Sequence, residues 1–382
     1  MTVSTTAAKL PLAGITVVEF GASVAGPYAG QVLGDLGARV IKIERPEGDD
    51  ARKWGPPFLE GASALFQALN RNKASIACDL RDAPTLAALK RLILDEADVV
   101  LHNMRPGQME RVGLGAADLL AAKPAMIYCN LGAFGHKGPL AERPGYDPLM
   151  QAFGGIMSVT GERGRPPVRV GVSIVDMGTG VWAVVGILAK LHERTATGKG
   201  GVVDVSLFET AAALFSLPLS QYIASGEMPT KHGSGAAGIV PYRAYRTADG
   251  DLVVGTGNDA LYRKLCDALG KPEWASDARF RTNPDRVKQE TTLYPLIEAE
   301  MAKRGNADWI EVFDAAGIPC APVQNAREML SHPQTLALGL QQAIPGSGMR
   351  LIGLPMSFDG ERPMPRSRPP ALGEHNELLK KK

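Results

Sequence analysis

The 382-residue chain is short of the features that mark several large classes of protein. It has four cysteines, Cys78, Cys129, Cys266 and Cys320, far apart in sequence. No C-x-x-C pair or Cys/His ligand spacing is present, which excludes the common structural zinc motifs and a dense disulfide framework. Scattered thiols of this kind suit a reducing compartment, and a cytoplasmic location is expected. Met1–Lys9 has no apolar h-region, so no signal peptide is expected. The most apolar stretch, Gly178–Leu191, is shorter than the ~20 residues of a membrane span and reads as a buried helix, with no membrane partner. Charge of one sign is also lacking: 42 Lys and Arg against 40 Asp and Glu leave +2. That balance gives no electrostatic support for nucleic-acid binding. No G-x-S-x-G elbow exists, nor a P-loop, because Gly198-Lys199 lacks the earlier glycine and the following Ser or Thr. No H-E-x-x-H or clustered His/Asp set suggests a metal, so none is expected.

What is present is an ordinary globular composition, 45% hydrophobic and 21% charged, with 43 Gly and 28 Pro for tight turns. Its length suits two or three domains at roughly 150 residues each. Short apolar runs at Ile15–Phe20, Val40–Glu44, Ser75–Leu80, Asp98–His102, Met126–Leu131 and Val202–Ser206 alternate with helical patterns, including Tyr28–Leu36, Thr85–Asp95 and Asp176–Arg194. Such alternation predicts an α/β fold with a mostly parallel sheet. Leu207–Ala224 reads as helix. Ile239–Gly257 reads as a hairpin turning at Asp249-Gly250, and Asp259–Glu328 as mainly helical and more charged. The expected organisation is a large domain over 1–200, a linker helix over 201–224, a small α+β domain over 225–330 and a C-terminal segment over 331–382 that returns to the large domain.

Three features carry possible chemistry. Gly233, Gly235 and Gly238 form a G-x-G-x-x-G, but no strand precedes it and no helix follows, so the context for a dinucleotide cradle is absent. Glu44, at the end of the second strand, could imitate a ribose-binding acid or could simply be a sheet-edge carboxylate. Asp176, in VGVSIVDMGTG, stands between an apolar segment and the apolar helix. It suits a helix N-cap. It also suits a nucleophilic carboxylate that substrate reaches across a flexible turn at Gly178 and Gly180. Spacing alone does not decide between these. Arg45, Arg81 and Arg105 each follow a strand, with Arg111 nearby. The carboxyl ends of the strands form the ligand crevice of an open parallel sheet, and guanidinium groups there suit a phosphate-bearing ligand.

The stretches PLAGITVVEF, AGPYAGQVLGDLGARVIKIERP, LNRNKASIACDL, ADVVLHNMRPG, GYDPLMQAFGG, VDMGTG, GIPCAPV and LGEH, in this order, resemble the class III CoA-transferases (the CaiB/BaiF family). The resemblance implies a Rossmann-like large domain, a smaller domain, and ring-like chains interlocked as a homodimer. It implies no permanently bound cofactor, with coenzyme A and acyl-CoA as substrates. It makes Asp176 the nucleophile that forms an aspartyl-CoA thioester. It places CoA contacts on Ser23, Val24, Arg45, Leu80, Arg81, Asn103, Met104, Arg105 and Arg111, with Arg143 near a family lysine. It sets Tyr146, Gly233 and Gly235 around the substrate, the glycines as a covering loop.

One departure matters. The family's racemases carry a His where this chain has Tyr146, and a phenol with an ordinary pKa near 10 is a poor proton shuttle at neutral pH. An α-methylacyl-CoA racemase and a non-enzymatic CoA-binding protein are the alternatives to CoA transfer. GDDARKWGPPF and GIVPYRAYRTADGDLVVGTGN resemble the succinate–hydroxymethylglutarate branch. That implies succinyl-CoA as donor and a dicarboxylic acid as acceptor. Arg52 is a candidate for holding the distal carboxylate, with an ordinary loop arginine as its plainer reading.

Overall fold

The computed structural model describes residues 10–380. The expectations for Met1–Lys9, Lys381 and Lys382 lie outside the described residues. The chain divides into two compact units. The first holds the chain up to Ile156, Arg169–Leu217 and Gln334 onward; the second holds Met157–Val168 and Pro218–Pro333.

The labelled elements of the first unit are β1 (Thr16–Phe20), α1 (Ala25–Asp35), β2 (Arg39–Glu44), β3 (Lys73–Ala77), α2 (Ala83–Glu96), β4 (Val99–His102), β5 (Ile127–Gly132), α3 (Asp147–Phe153), α4 (Ile174–Thr197), β6 (Gly201–Ser206) and α5 (Leu207–Leu214). The six strands form one sheet in the order β3-β2-β1-β4-β5-β6, every neighbouring pair parallel. This is the doubly wound, Rossmann-like order, whose switch point lies between β1 and β4. The strands are mostly apolar because both faces are covered, with Glu19, Lys42 and Lys73 as buried charged exceptions. Val17, Val40, Val99 and Ile127 point into one core with α1 and α4. Val18, Ile41, Val100 and Tyr128 point into the other with Leu89, Leu92 and Ile93 of α2. Each fully buried Val, Leu or Ile side chain stabilises the unit by about 1.5–3 kcal/mol.

Local sequence sets the helix ends. Asp82 caps α2 by accepting from Thr85 N at 3.0 Å, with a proline in the first turn. α4 ends at Gly198, whose φ of 68° supplies the left-handed C-terminal turn. Arg194, in its last turn, bonds Asp98 at 3.0 Å. α4 starts at Ile174, two residues before Asp176, so the flexible turn expected at Met177–Gly180 is helix instead. By length and composition α4 could cross a membrane. Its Val175, Thr179, Ala183, Val184 and Ile187 are nevertheless buried. Residues 201–224, expected as a linker helix, begin with the sixth strand of the sheet, and the helix that follows breaks at Phe215.

The C-terminal segment is bound into the first unit. Asn72 Oδ1 accepts from Arg366 N at 2.7 Å and Ser367 N at 3.0 Å, and Asn376 Oδ1 accepts from Ala77 N at 2.9 Å. The second unit contains β7 (Tyr242–Arg246), β8 (Asp251–Gly255), α6 (Asp259–Ala268), α7 (Glu290–Met301), α8 (Asn306–Ala316) and β9 (Cys320–Pro322). Its sheet, β9-β8-β7, is antiparallel. The β7–β8 hairpin turns through Asp249-Gly250, where Thr247 N donates to Gly250 O at 3.0 Å. Tyr245, Leu252 and Val254 pack on Leu265, Leu293 and Phe313.

Candidate active site

A cleft of about 1090 Å³ follows the carboxyl edge of the six-stranded sheet, lined entirely by residues of the first unit. The loops after β1 and β4 meet there, at the switch point where such sheets bind ligands. The loop after β1 is held from three sides. Asn103, just past β4, accepts from Ala22 N at 2.9 Å and donates to Ala22 O at 2.8 Å. Asp49 accepts from Ser23 N at 3.1 Å, which fixes Ser23 at a φ of 68°. Beneath the loop Lys42 pairs with Glu19 at 3.2 Å and Asp49 at 3.0 Å and bonds Gly21 O. Lys73 pairs with the other Glu19 oxygen at 2.8 Å. Gly30 is required here, because a Cβ would sit 1.9 Å from Glu19 Oε2.

Of the expected CoA contacts, Ser23, Val24, Arg45, Leu80, Arg81, Met104, Arg105 and Arg143 line this cleft. Asn103 lines it too, but its amide is spent on Ala22. Arg111 ends the short helix Gln108–Arg111 and is outside the lining. Arg45 is paired with Asp50 and Arg81 with Asp79 at 2.8 Å, so each guanidinium already holds a carboxylate. Tyr146 lines the cleft and is exposed. Gly233 and Gly235 belong to the second unit. There Gly233 N donates to Gly161 O at 3.0 Å and Gly235 N to His232 O at 2.8 Å.

Arg52 departs from its candidate role. It lies outside the lining, grips Glu44 with bonds of 2.8 and 2.7 Å, and stacks over Phe66 at 3.8 Å. Glu44 is in turn committed to Arg52, Ser75 and Asp49 N, which explains a sheet-edge acid without a ribose. Burial acts to raise the Glu44 pKa, but the Arg52 hydrogen bonds, the Lys42 charge and the Ser75 bond outweigh it and hold it at about 2.

Asp176 lines the same cleft and is not the cap of its helix. Ser173 holds the N-cap position without a side-chain bond. Buried Asp147 takes over, its Oδ2 accepting from Val175 N at 2.8 Å and Asp176 N at 3.2 Å. Gln151 donates to the other Asp147 oxygen at 2.6 Å and accepts from Val170 N at 2.8 Å. Among the described residues the Asp176 carboxyl meets no cation. Burial first, and the Asp147 charge second, push its pKa up to about 7. Gly178 and Gly180 serve packing rather than substrate approach. A Cβ on Gly180 would lie 2.9 Å from Ala25 O of α1, and one on Gly178 3.0 Å from Thr210 of α5. The residues brought together are thus a basic, loop-built half of the cleft and a carboxylate whose ionised form is poorly stabilised. A desolvated carboxylate of this kind is a competent nucleophile toward an activated carbonyl.

Sequence reading did not single out Asp147, Gln151, Asp49 or Arg169. Asp147 was visible only as the last residue of GYD. Its partner helix begins 27 residues later, so no local capping pattern reports it.

The sequence pattern of CoA-transferase family III matches residues 12–376. The chain is 36% identical over 382 residues to a mouse (Mus musculus) succinyl-CoA:glutarate CoA-transferase, covering 97% of this chain and 86% of that one. It is 37% identical over 382 residues to a succinate–glutarate CoA-transferase of Agrobacterium fabrum, covering 96% and 94%. The crystal structure of a CAIB/BAIF family protein from Brucella suis superposes with a TM-score of 0.87 at 38% identity, covering 97% of this chain and 99% of that one.

Proposed function

The chain belongs to CoA-transferase family III and is an enzyme of that family, and we propose that it moves CoA from succinyl-CoA to a dicarboxylic acid through a thioester on Asp176. The observation that carries this reading is the Asp176 carboxyl, without a cation and with its pKa near 7, on a cleft at the sheet's switch point.

An Asp176 oxygen attacks the thioester carbonyl carbon. The tetrahedral oxyanion collapses and expels CoA thiolate, leaving a mixed anhydride. The thiolate attacks the aspartyl carbonyl, succinate leaves, and an aspartyl-CoA thioester remains. An acceptor carboxylate then attacks that thioester, thiolate departs again, and its attack on the acceptor's carbonyl yields the new acyl-CoA and frees Asp176. No net proton or electron is exchanged, so no permanently bound cofactor is needed. A half-buried carboxylate without a counter-charge is more basic and more nucleophilic than one paired with arginine, which suits the first step. The basic loops after β2, β3 and β4 would hold the CoA phosphates, with Arg45 and Arg81 changing partners.

α4 shows Met177, Val181, Trp182, Val185 and Leu188 to solvent, and α3 adds Leu149 and Phe153. We assign this apolar face to a second copy of the chain, in the interlocked arrangement that the family resemblance implies. A monomer in sedimentation experiments at micromolar concentration would overturn that assignment.

The mechanism is tested by incubating the protein with succinyl-CoA, adding hydroxylamine and mapping the modified peptide. Hydroxamate is expected on Asp176. Asp176→Ala should lower CoA exchange by at least ~1000-fold, the scale of removing a covalent nucleophile. Undiminished exchange in that variant would sink the reading.

A further inference from the structure

An acceptor with two carboxylates faces an electrostatic obstacle at this site. One carboxylate must come within bonding distance of the Asp176 centre while Asp147, charged and buried, stands behind the same helix terminus. The second brings another negative charge into a cleft that already holds Asp204, Glu142 and Glu110. A site selective for such an acid needs a cation that is not already committed.

The inventory of lysines and arginines around the cleft is short. Lys42 and Lys73 are buried in the ion cluster under the first loop. Arg52 is locked on Glu44 and outside the lining. Arg45 and Arg81 are paired and sit after β2 and β3, on the far half of the sheet from α4, which packs on β5 and β6. Arg105 follows β4, among the loops assigned to the CoA phosphates. Arg143 and Arg169 remain. Both are exposed, both line the cleft, and neither side chain makes a hydrogen bond or ion pair among the described residues.

Arg169 differs from Arg143 in how it is tied to the reacting group. The next residue's N–H, Val170 N, is held by Gln151. Gln151 holds Asp147, and Asp147 holds the backbone N–H of Asp176. Two side chains therefore fix the backbone at Arg169 relative to the nucleophile, an arrangement that lets chain length be measured between a guanidinium and a carboxylate. Arg143 has no such link among the described residues. We propose that Arg169 is the specificity-determining residue of this enzyme, binding the distal carboxylate of a dicarboxylic acceptor and, in the donor half-reaction, that of the departing dicarboxylic acid. This rests on the dicarboxylate reading above.

The test compares glutarate with pentanoate, acids of equal chain length, as acceptors from succinyl-CoA. Effects on the donor cancel in the ratio of the two kcat/KM values. Arg169→Gln should lower the glutarate-to-pentanoate ratio at least tenfold, mainly through the KM for glutarate, and Arg169→Lys should restore part of it. A ratio unchanged within twofold in Arg169→Gln overturns the assignment, as does a collapse of the ratio in Arg143→Gln alone. If the wild-type enzyme does not prefer glutarate, the dicarboxylate reading itself fails. Wild-type preference with an indifferent Arg169→Gln would sink only the present inference.

Discussion

Glu44, buried, and Asp176, half-buried, line the same cleft, yet the fold treats them in opposite ways. Glu44 meets a guanidinium, a hydroxyl and a backbone N–H, and its pKa falls to about 2. Asp176 meets no cation among the described residues and has another acid behind it, and its pKa rises to about 7. Linkage then gives the two groups opposite signs. The stability that Glu44 contributes is present above its ordinary pKa of 4.5 and lost as pH falls through about 2. The stability associated with protonated Asp176 is present below 3.8 and lost as pH rises through about 7. One carboxylate holds the loops together. The other costs stability at neutral pH and, in the proposed mechanism, is left reactive by the same desolvation.

The contrast breaks if substitutions at the two places shift stability in the same direction. Arg52→Ala leaves Glu44 buried without its hydrogen-bonded guanidinium and should cost about 3–5 kcal/mol. Asp176→Asn removes an uncompensated charge and should add ~1–3 kcal/mol at pH 8, with the gain fading by pH 4. Urea denaturation of the two variants at both pH values reads both effects. A loss of stability in Asp176→Asn at pH 8 would mean that its carboxylate is supported by a partner and would return it to a structural role.

How much of this was legible in the sequence follows from the range of each interaction. The parallel sheet was readable because Val17, Val18, Phe20, Val40, Ile41 and Ile43 carry their burial in local composition. The crevice was readable because Arg45 and Arg105 stand directly after strands. The commitment of Arg52 to Glu44 was not, although the two are only eight residues apart, because the bond depends on how the loop after β2 folds back. The cap on α4 was legible least of all. Asp176 looked like the cap because a helix start with an acid normally supplies its own, whereas here an acid 29 residues earlier does so and frees Asp176. The glycines at 178 and 180 were misread for the same reason. What they approach is α5 and α1, surfaces that no sequence window around them contains.

The smallest effect probes the coupling inside the Asp176 corner. Asp147→Asn keeps an oxygen to accept from the helix N–H groups and removes the charge that helps raise the Asp176 pKa. A negative neighbour disfavours the ionised form, so its removal must lower the Asp176 pKa, and the acid limb of kcat/KM should move to lower pH by about half to one pH unit. Burial, the larger cause, remains in the variant, so the limb should stop well above the ordinary aspartate value of 3.8. A purely structural Asp147 would reduce the amplitude of the profile and leave its midpoint in place. A midpoint that moves up would reverse the sign of the coupling and remove the ground for separating the two corners of the cleft.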